Sequence, residues 1–100
     1  MILAHLEKYD LTAASGTVAK TIYTGQGNIC YEIFVKAATS STTFDVTLTD
    51  IYGNVTFERL DNTGQLSEML QKITYGNWTL TILNASADEV FNVALTFREN

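Results

Sequence analysis

The sequence predicts an all-β protein: a single antiparallel β-sandwich, jelly-roll-like, of about seven or eight strands. Three observations carry this. Apolar residues recur at every second position over most of the chain, as a half-buried strand requires, because successive side chains point to opposite faces. Turn signals separate these runs at intervals of roughly 8–12 residues, the spacing of sandwiches and small barrels. Finally, 100 residues, 46% hydrophobic and 17% charged, suffice for one core of about 13 Å radius and not for two. Residues 1–100 are therefore expected to form one domain.

The elements follow in order. Residues 1–11 are the least regular: Ile2, Leu3 and Leu6 are apolar, but His5, Glu7 and Lys8 break the alternation. The segment is expected either as an edge strand or as an extended N-terminal arm that adds to a neighbour's sheet. Ala13-Ala14-Ser15-Gly16 closes it. Val18, Lys20 and Ile22 then alternate with Ala19, Thr21 and Tyr23, up to a turn at Gly25-Gln26-Gly27-Asn28. Ile29, Tyr31, Ile33 and Val35 share one face, with Cys30, Glu32, Phe34 and Lys36 on the other. A small, hydroxylated stretch over 37–42 leads to Phe44, Val46 and Leu48, set against Thr43, Asp45, Thr47 and Thr49. Residues 50–54, with Tyr52-Gly53-Asn54, read as a hairpin loop into Val55, Phe57 and Arg59. After Gly76-Asn77, Trp78, Leu80 and Ile82 alternate with Thr79, Thr81 and Leu83. A loop over 84–88 precedes Phe91, Val93, Leu95 and Phe97, which alternate with Asn92, Ala94, Thr96 and Arg98. Threonine-rich outer faces suit strands, where β-branched side chains lose little rotamer freedom.

Residues 65–73 support two readings. Leu66, Met69, Leu70 and Ile73 fall at i, i+3, i+4 and i+7, a helical stripe. Ser67, Met69, Gln71, Ile73 and Tyr75 fall at period two, and the strand reading is preferred. The expected core is Ile29, Tyr31, Ile33, Val35, Phe44, Val46, Leu48, Phe57, Trp78, Leu80, Ile82, Val93, Leu95 and Phe97.

Composition excludes several function classes. Eleven acidic residues against six basic ones give a net charge of −5, which repels phosphate backbones and argues against a nucleic-acid partner. No apolar run approaches the ~20 residues of a membrane span. Met1 to Leu6 lacks a basic leader, so no secretory signal is expected and synthesis in the cytosol is. Three Asn-x-Ser/Thr triplets, at Asn54, Asn77 and Asn84, read as by-products of a composition rich in threonine and asparagine. One cysteine excludes an internal disulfide.

The chemistry-bearing residues are sparse. His5 is the sole histidine and has no visible triad or zinc partners. Cys30 lacks a neighbouring base, Ser15 and Ser67 lie in no nucleophile elbow, and Gly25-x-Gly27 lacks the third glycine of a dinucleotide loop. Asp45 and Asp50 bracket a strand, Asp61-Asn62 lies in a turn, and Asp88-Glu89 precedes the last strand. Calcium needs six to eight oxygens in one place, so they read as solvated charges at strand ends. No catalytic residue, cofactor or metal is expected, and the chain is read as a non-enzyme. Among Tyr23, Tyr52, Tyr75 and Trp78, the tryptophan is in phase with the core. Tyr52 and Tyr75 lie at turns and are the better contact residues, for sugar or for protein.

Two stretches carry a family resemblance. One is Ile29-Cys30-Tyr31-Glu32-Ile33-Phe34-Val35, leading through the Ser/Thr loop into Phe44-Asp45-Val46-Thr47-Leu48-Thr49-Asp50 and the Tyr52-Gly53-Asn54 turn. The other is Gly76-Asn77-Trp78-Thr79-Leu80-Thr81-Ile82-Leu83-Asn84, followed by Phe91 to Phe97. Together they resemble the small β-sandwich cement or decoration proteins of tailed bacteriophage capsids. The second also resembles pre-peptidase C-terminal domains, which are jelly-roll-like accessory modules. The likeness is one of pattern over roughly residues 29–100 and contains no invariant motif. It implies a virion structural protein, made in the host cytoplasm and carried on the capsid surface. Such a protein would bind between major capsid protein subunits or to other virion proteins, alone or as a homo-oligomer. The resemblance transfers no functional residue. The runner-up is a carbohydrate- or cell-surface-binding module of a tail or fibre. The contact residues expected from the sequence are Ile2, Leu3, Leu6, Tyr52 and Tyr75.

Overall fold

The computed structural model describes residues 4–24 and 26–99, the side chains at 4, 26, 27, 75 and 99 excepted. It contains eight strands: β1 (Ala4–Ala13), β2 (Val18–Ile22), β3 (Gln26–Ala37), β4 (Thr43–Thr49), β5 (Val55–Thr63), β6 (Gln65–Tyr75), β7 (Trp78–Leu83) and β8 (Glu89–Glu99). No helix occurs among the described residues. Two four-stranded antiparallel sheets form, in the orders β1-β8-β3-β6 and β2-β7-β4-β5. Every connection except β4–β5 therefore crosses from one sheet to the other, the wrapping of a double-sheet jelly roll. At one flank β1 lies beside β2, and at the other β5 lies beside β6. The radius of gyration is 13.1 Å.

Alternation places the core between the sheets. Trp78, Leu80 and Ile82 of β7, Phe44, Val46 and Leu48 of β4, and Phe91, Val93, Leu95 and Phe97 of β8 are all buried. Phe44 and Phe91 meet edge to face across the gap with ring centroids 4.9 Å apart, an arrangement the ring quadrupoles favour. Leu11, Ala13, Ile22, Ala37 and Leu66 complete the apolar layer.

Two expected core residues are displaced by one irregularity. Ile29 and Tyr31 are only half-buried, whereas Cys30, assigned by alternation to the outer face, is fully buried. The cause is a β-bulge. Cys30 and Glu32 pair with the consecutive residues Phe97 and Thr96 of β8, so Tyr31 is an extra residue in β3. On the opposite side they pair with Lys72 and Met69 of β6, which leaves two residues of β6 opposite Tyr31. One of these, Gln71, adopts φ 57°. An inserted residue shifts the in–out phase by one, so Ile33 and Val35 point inward after the bulge while Cys30 does so before it.

Residues 65–73 are strand, as preferred. Leu66 and Thr74 are buried, whereas Met69 and Ile73 are 57% and 47% exposed. Of the expected turn over 25–28, residues 26–28 belong to β3, which begins at Gln26, and residue 25 lies outside the described residues.

Tight backbone approaches close the loops. Gly64 joins β5 to β6, donating its N–H to the Thr42 carbonyl at 2.8 Å and accepting from the Ala37 N–H at 2.8 Å. Its φ is +74°, and a Cβ there would stand 2.5 Å from the Ser40 carbonyl oxygen. Gly53, at φ +83°, has no atom within 4 Å of such a Cβ. Gly64→Ala should therefore destabilise more than Gly53→Ala, which carries backbone strain alone, on the order of 1–3 kcal/mol. Phe97→Ala should cost about 3–5 kcal/mol through lost burial and the cavity left behind. Urea denaturation of the three variants checks both the order and the magnitudes.

Candidate functional site

The carboxylates that could have gathered around a cation instead staple turns. Asp50 accepts the backbone N–H groups of Tyr52 and Asn54, both at 2.9 Å, and so shapes the β4–β5 loop. Asp45 accepts the Asp61 N–H at 2.8 Å and the Asn84 side-chain amide at 2.7 Å, tying β4 to β5 and to the β7–β8 loop. Both residues it holds, Asp61 and Asn84, have positive φ. The hydrogen bond from the Asn54 backbone holds the Asp50 carboxyl below its ordinary pKa, and the bond from Asp61 does the same for Asp45. Glu89, at 8% exposure, accepts the Thr39 N–H at 2.7 Å. No group of three or more His, Cys, Asp or Glu side chains is placed to hold a metal among the described residues.

No nucleophile is assembled. Burial pushes the Cys30 thiol up to about 12, which keeps it protonated and unreactive at neutral pH. His5 stacks on Phe97 with ring centroids 5.0 Å apart, and its Nε2 is buried without a hydrogen-bond partner.

The residues expected to make contacts are distributed as follows. Leu6, on β1, pairs with Thr96 of β8 and is 53% exposed. Tyr52, in the β4–β5 loop, is 84% exposed. Tyr75 ends β6 as the register partner of Gln26, and its side chain lies outside the described residues, as do Ile2 and Leu3. The loop carrying Tyr52 and the turn following Tyr75 meet at one end of the sandwich, where a Cβ on Gly76 would lie 3.0 Å from Ile51 Cδ1. Buried threonines reinforce that end. The Thr24 hydroxyl donates to the Gly76 carbonyl, and the Thr74 hydroxyl donates to the Asn28 carbonyl at 3.0 Å. Trp78 is 2% exposed and belongs to the core, not to a ring platform.

The remaining feature is the pair of flanks. Each sheet ends in an edge strand on both sides, β1 and β6 in one, β2 and β5 in the other. Side chains clasp the gap at each flank. Arg59 of β5 forms an ion pair with Glu68 of β6, with Nε to Oε2 at 2.8 Å, and its guanidinium lies 4.6 Å from the Phe57 ring centroid. On the other flank the Tyr9 hydroxyl donates to Glu7 at 2.8 Å, and Lys20 lies 5.2 Å from the Tyr9 ring centroid. Burial, assisted by Glu7, raises the Tyr9 pKa to about 12. Sequence reasoning did not find these clasps, since residues nine or more apart on different strands give no local signal. What the flanks offer chemically is backbone hydrogen bonding along unpaired edges.

Fold and surface thus define a class: a jelly-roll β-sandwich with open strand edges and no catalytic constellation among its described residues. A solved chain from Bacillus endospore appendages, described as a family of disulfide-linked pili, matches with a TM-score of 0.70 and 22% identity, covering 99% of this chain and 88% of that one. PirA, from a crystal structure, matches with a TM-score of 0.56 and 8% identity, covering 87% of this chain and 90% of that one. At these identities the likeness establishes a shared fold. No protein-family model and no curated protein matches the sequence.

The pKa directions fix how stability should vary with pH. A carboxyl whose pKa falls on folding contributes stability above its unfolded value, ordinarily 3.8, and loses it as pH falls through the folded value. Asp45→Asn should therefore lower the melting temperature at pH 7 and flatten its decline below about pH 4. Cys30 and Tyr9 act in the opposite sense. Their pKa values rise from 9.0 and 10.0 to about 12, so their contribution is complete below the unfolded values and is lost as pH climbs toward the folded one. Thermal melts from pH 2 to pH 12 read both limbs.

Proposed function

We propose that this chain is a non-enzymatic structural subunit that assembles with other proteins, foremost copies of itself, through its strand edges. The carrying observation is the fold likeness to an appendage subunit over 99% of the chain, joined to the open edges β1, β2, β5 and β6. Unpaired edge groups are templates for strand addition, which gives affinity through main-chain hydrogen bonds. Val55 and Leu60 leave apolar side chains exposed on the edge strand β5, each 57% accessible.

The joint differs from the one named for the appendage pili. A polymer linked by disulfides needs at least two reactive thiols per subunit, whereas this chain has one cysteine, and it is buried. Assembly here is non-covalent. Two settings suit such a subunit. A free-standing appendage is favoured by the fold likeness. A coat over a major capsid protein, carried on a virion, is favoured by the sequence pattern alone and stands second.

Light scattering with negative-stain microscopy tests the reading. Oligomers or filaments that persist in reductant and dissociate in Leu60→Lys with Val55→Lys are expected. A chain that stays monomeric at every concentration, or polymers that fall apart in reductant, would overturn it.

A further inference from the structure

Antiparallel sheets with one face on the core usually present polar residues on the other. The sheet β2-β7-β4-β5 does so, with Thr47 and Thr49 of β4 opposite Thr81 and Thr79 of β7. The sheet β1-β8-β3-β6 is mixed. Its outward positions run across the strands as Leu6–Thr96–Glu32–Met69, then Lys8–Ala94–Phe34–Ser67, then Asp10–Asn92–Lys36–Gln65. Beyond the bulge, Ile29 and Ile73 continue the face beside Arg98, and Val90 lies toward its other end. Leu6, Met69, Ile73 and Val90 are four of the nine large hydrophobic residues exposed among the described residues, and they stand around the margins of this face. Ala94, small and set between Lys8 and Phe34, leaves a groove of about 360 Å³ that Asp10 and Asn92 also line.

Charge and area indicate the occupant. The chain carries −5 overall, yet this face carries Lys8, Lys36 and Arg98 against Asp10 and Glu32. Among the described residues, the one ion pair, Arg59–Glu68, involves none of them. Lys8 and Asp10 stand side by side, two residues apart on β1, with Lys36 on the same rung as Asp10. A cation next to an anion is complementary to itself turned through 180°, because each copy's lysine then meets the other's aspartate. Four strands spaced about 4.8 Å apart, one of them the ten-residue β1 at about 3.4 Å per residue, give a projected face of about 650 Å². Stable interfaces bury about 800 Å² of accessible surface per partner, and the accessible area of a side-chain-covered face exceeds its projection.

We propose that the outer face of the sheet β1-β8-β3-β6 is an interface whose occupant is a second copy of this chain, apposed face to face about a two-fold axis. This interface uses the outward side chains of the sheet, whereas edge assembly uses the unpaired backbone groups of its outermost strands β1 and β6, so the inference does not depend on edge-to-edge assembly. The test is sedimentation of the intact chain over a concentration series, with thermal melts confirming that each variant is folded. The wild-type chain and the edge variant Leu60→Lys are both expected to dimerise. Leu6→Lys with Met69→Lys should weaken dimerisation by about tenfold or more. Lys8→Asp alone should weaken it, and Lys8→Asp combined with Asp10→Lys should restore it, since the exchange preserves self-complementarity. A monomeric wild-type chain would overturn the proposal and give this face to a different protein. Self-association untouched by the face variants, yet lost in Leu60→Lys, would also overturn it and leave the edges as the contact.

Discussion

The architecture depends on the interlocking of late strands between early ones. β8 lies between β1 and β3, and β7 lies between β2 and β4. Neither sheet has a centre without them. These two strands supply seven of the nineteen buried hydrophobic residues among the described residues: Trp78, Leu80 and Ile82 from β7, and Phe91, Val93, Leu95 and Phe97 from β8. Because the core is one contiguous cluster shared by both sheets, loss of either central strand would expose apolar surface on both layers. The Thr–Gly and Asp–backbone contacts at the two ends are secondary to this. They set the loops once the sheets have met.

The bulge at Tyr31 links the interior to the surface. One additional residue turns Cys30 into the core and delivers Ile29 to the outer face. There the Tyr31 ring lies under the Arg98 guanidinium, 4.7 Å from its centroid. The same irregularity faces Gln71 of β6 in a left-handed conformation, so the distortion spans three adjacent strands. A thiol that would otherwise point outward is thus held in the dry layer, and an isoleucine that would otherwise be buried joins the outer face.

Much of this could be read from the residues. Strand positions were legible because a half-buried strand imposes period two on its composition; β4 obeys it throughout, and β7 and β8 do so apart from the outward Leu83, Val90 and Ala94. Trp78 was placed correctly by the same rule. The bulge was not legible: Ile29, Tyr31, Ile33 and Val35 form an unbroken alternation, and nothing local reveals that one residue is surplus to β8. β6 was ambiguous for a related reason. Leu66 and Leu70 pack toward the core while Met69 and Ile73 face out, so apolar residues on both faces imitate a helical stripe. The order of strands within the sheets leaves no local trace, because it is set by crossovers between distant segments. For that reason the flank clasps Arg59–Glu68 and Tyr9–Lys20, and the outer face that four separate strands build together, emerged only with the fold. Among the expected contact residues, Leu6 and Tyr52 are solvent-accessible, while Ile2, Leu3 and the Tyr75 side chain fall outside the described residues.

The wrapping order also governs how the chain can reach this state. Only β4 and β5 pair as sequence neighbours, so this hairpin is the one piece of sheet that can form with little loop-closure cost. Every other ladder joins distant segments, and folding dominated by such contacts takes on the order of milliseconds to seconds. During synthesis β1 has no ladder partner until β8 emerges, and β2 has none until β7 does. Most of the chain must leave the ribosome with its inward-facing residues uncovered, an interval in which unpaired strands can join the wrong neighbour. A sandwich knitted in this order closes only once β8 has emerged.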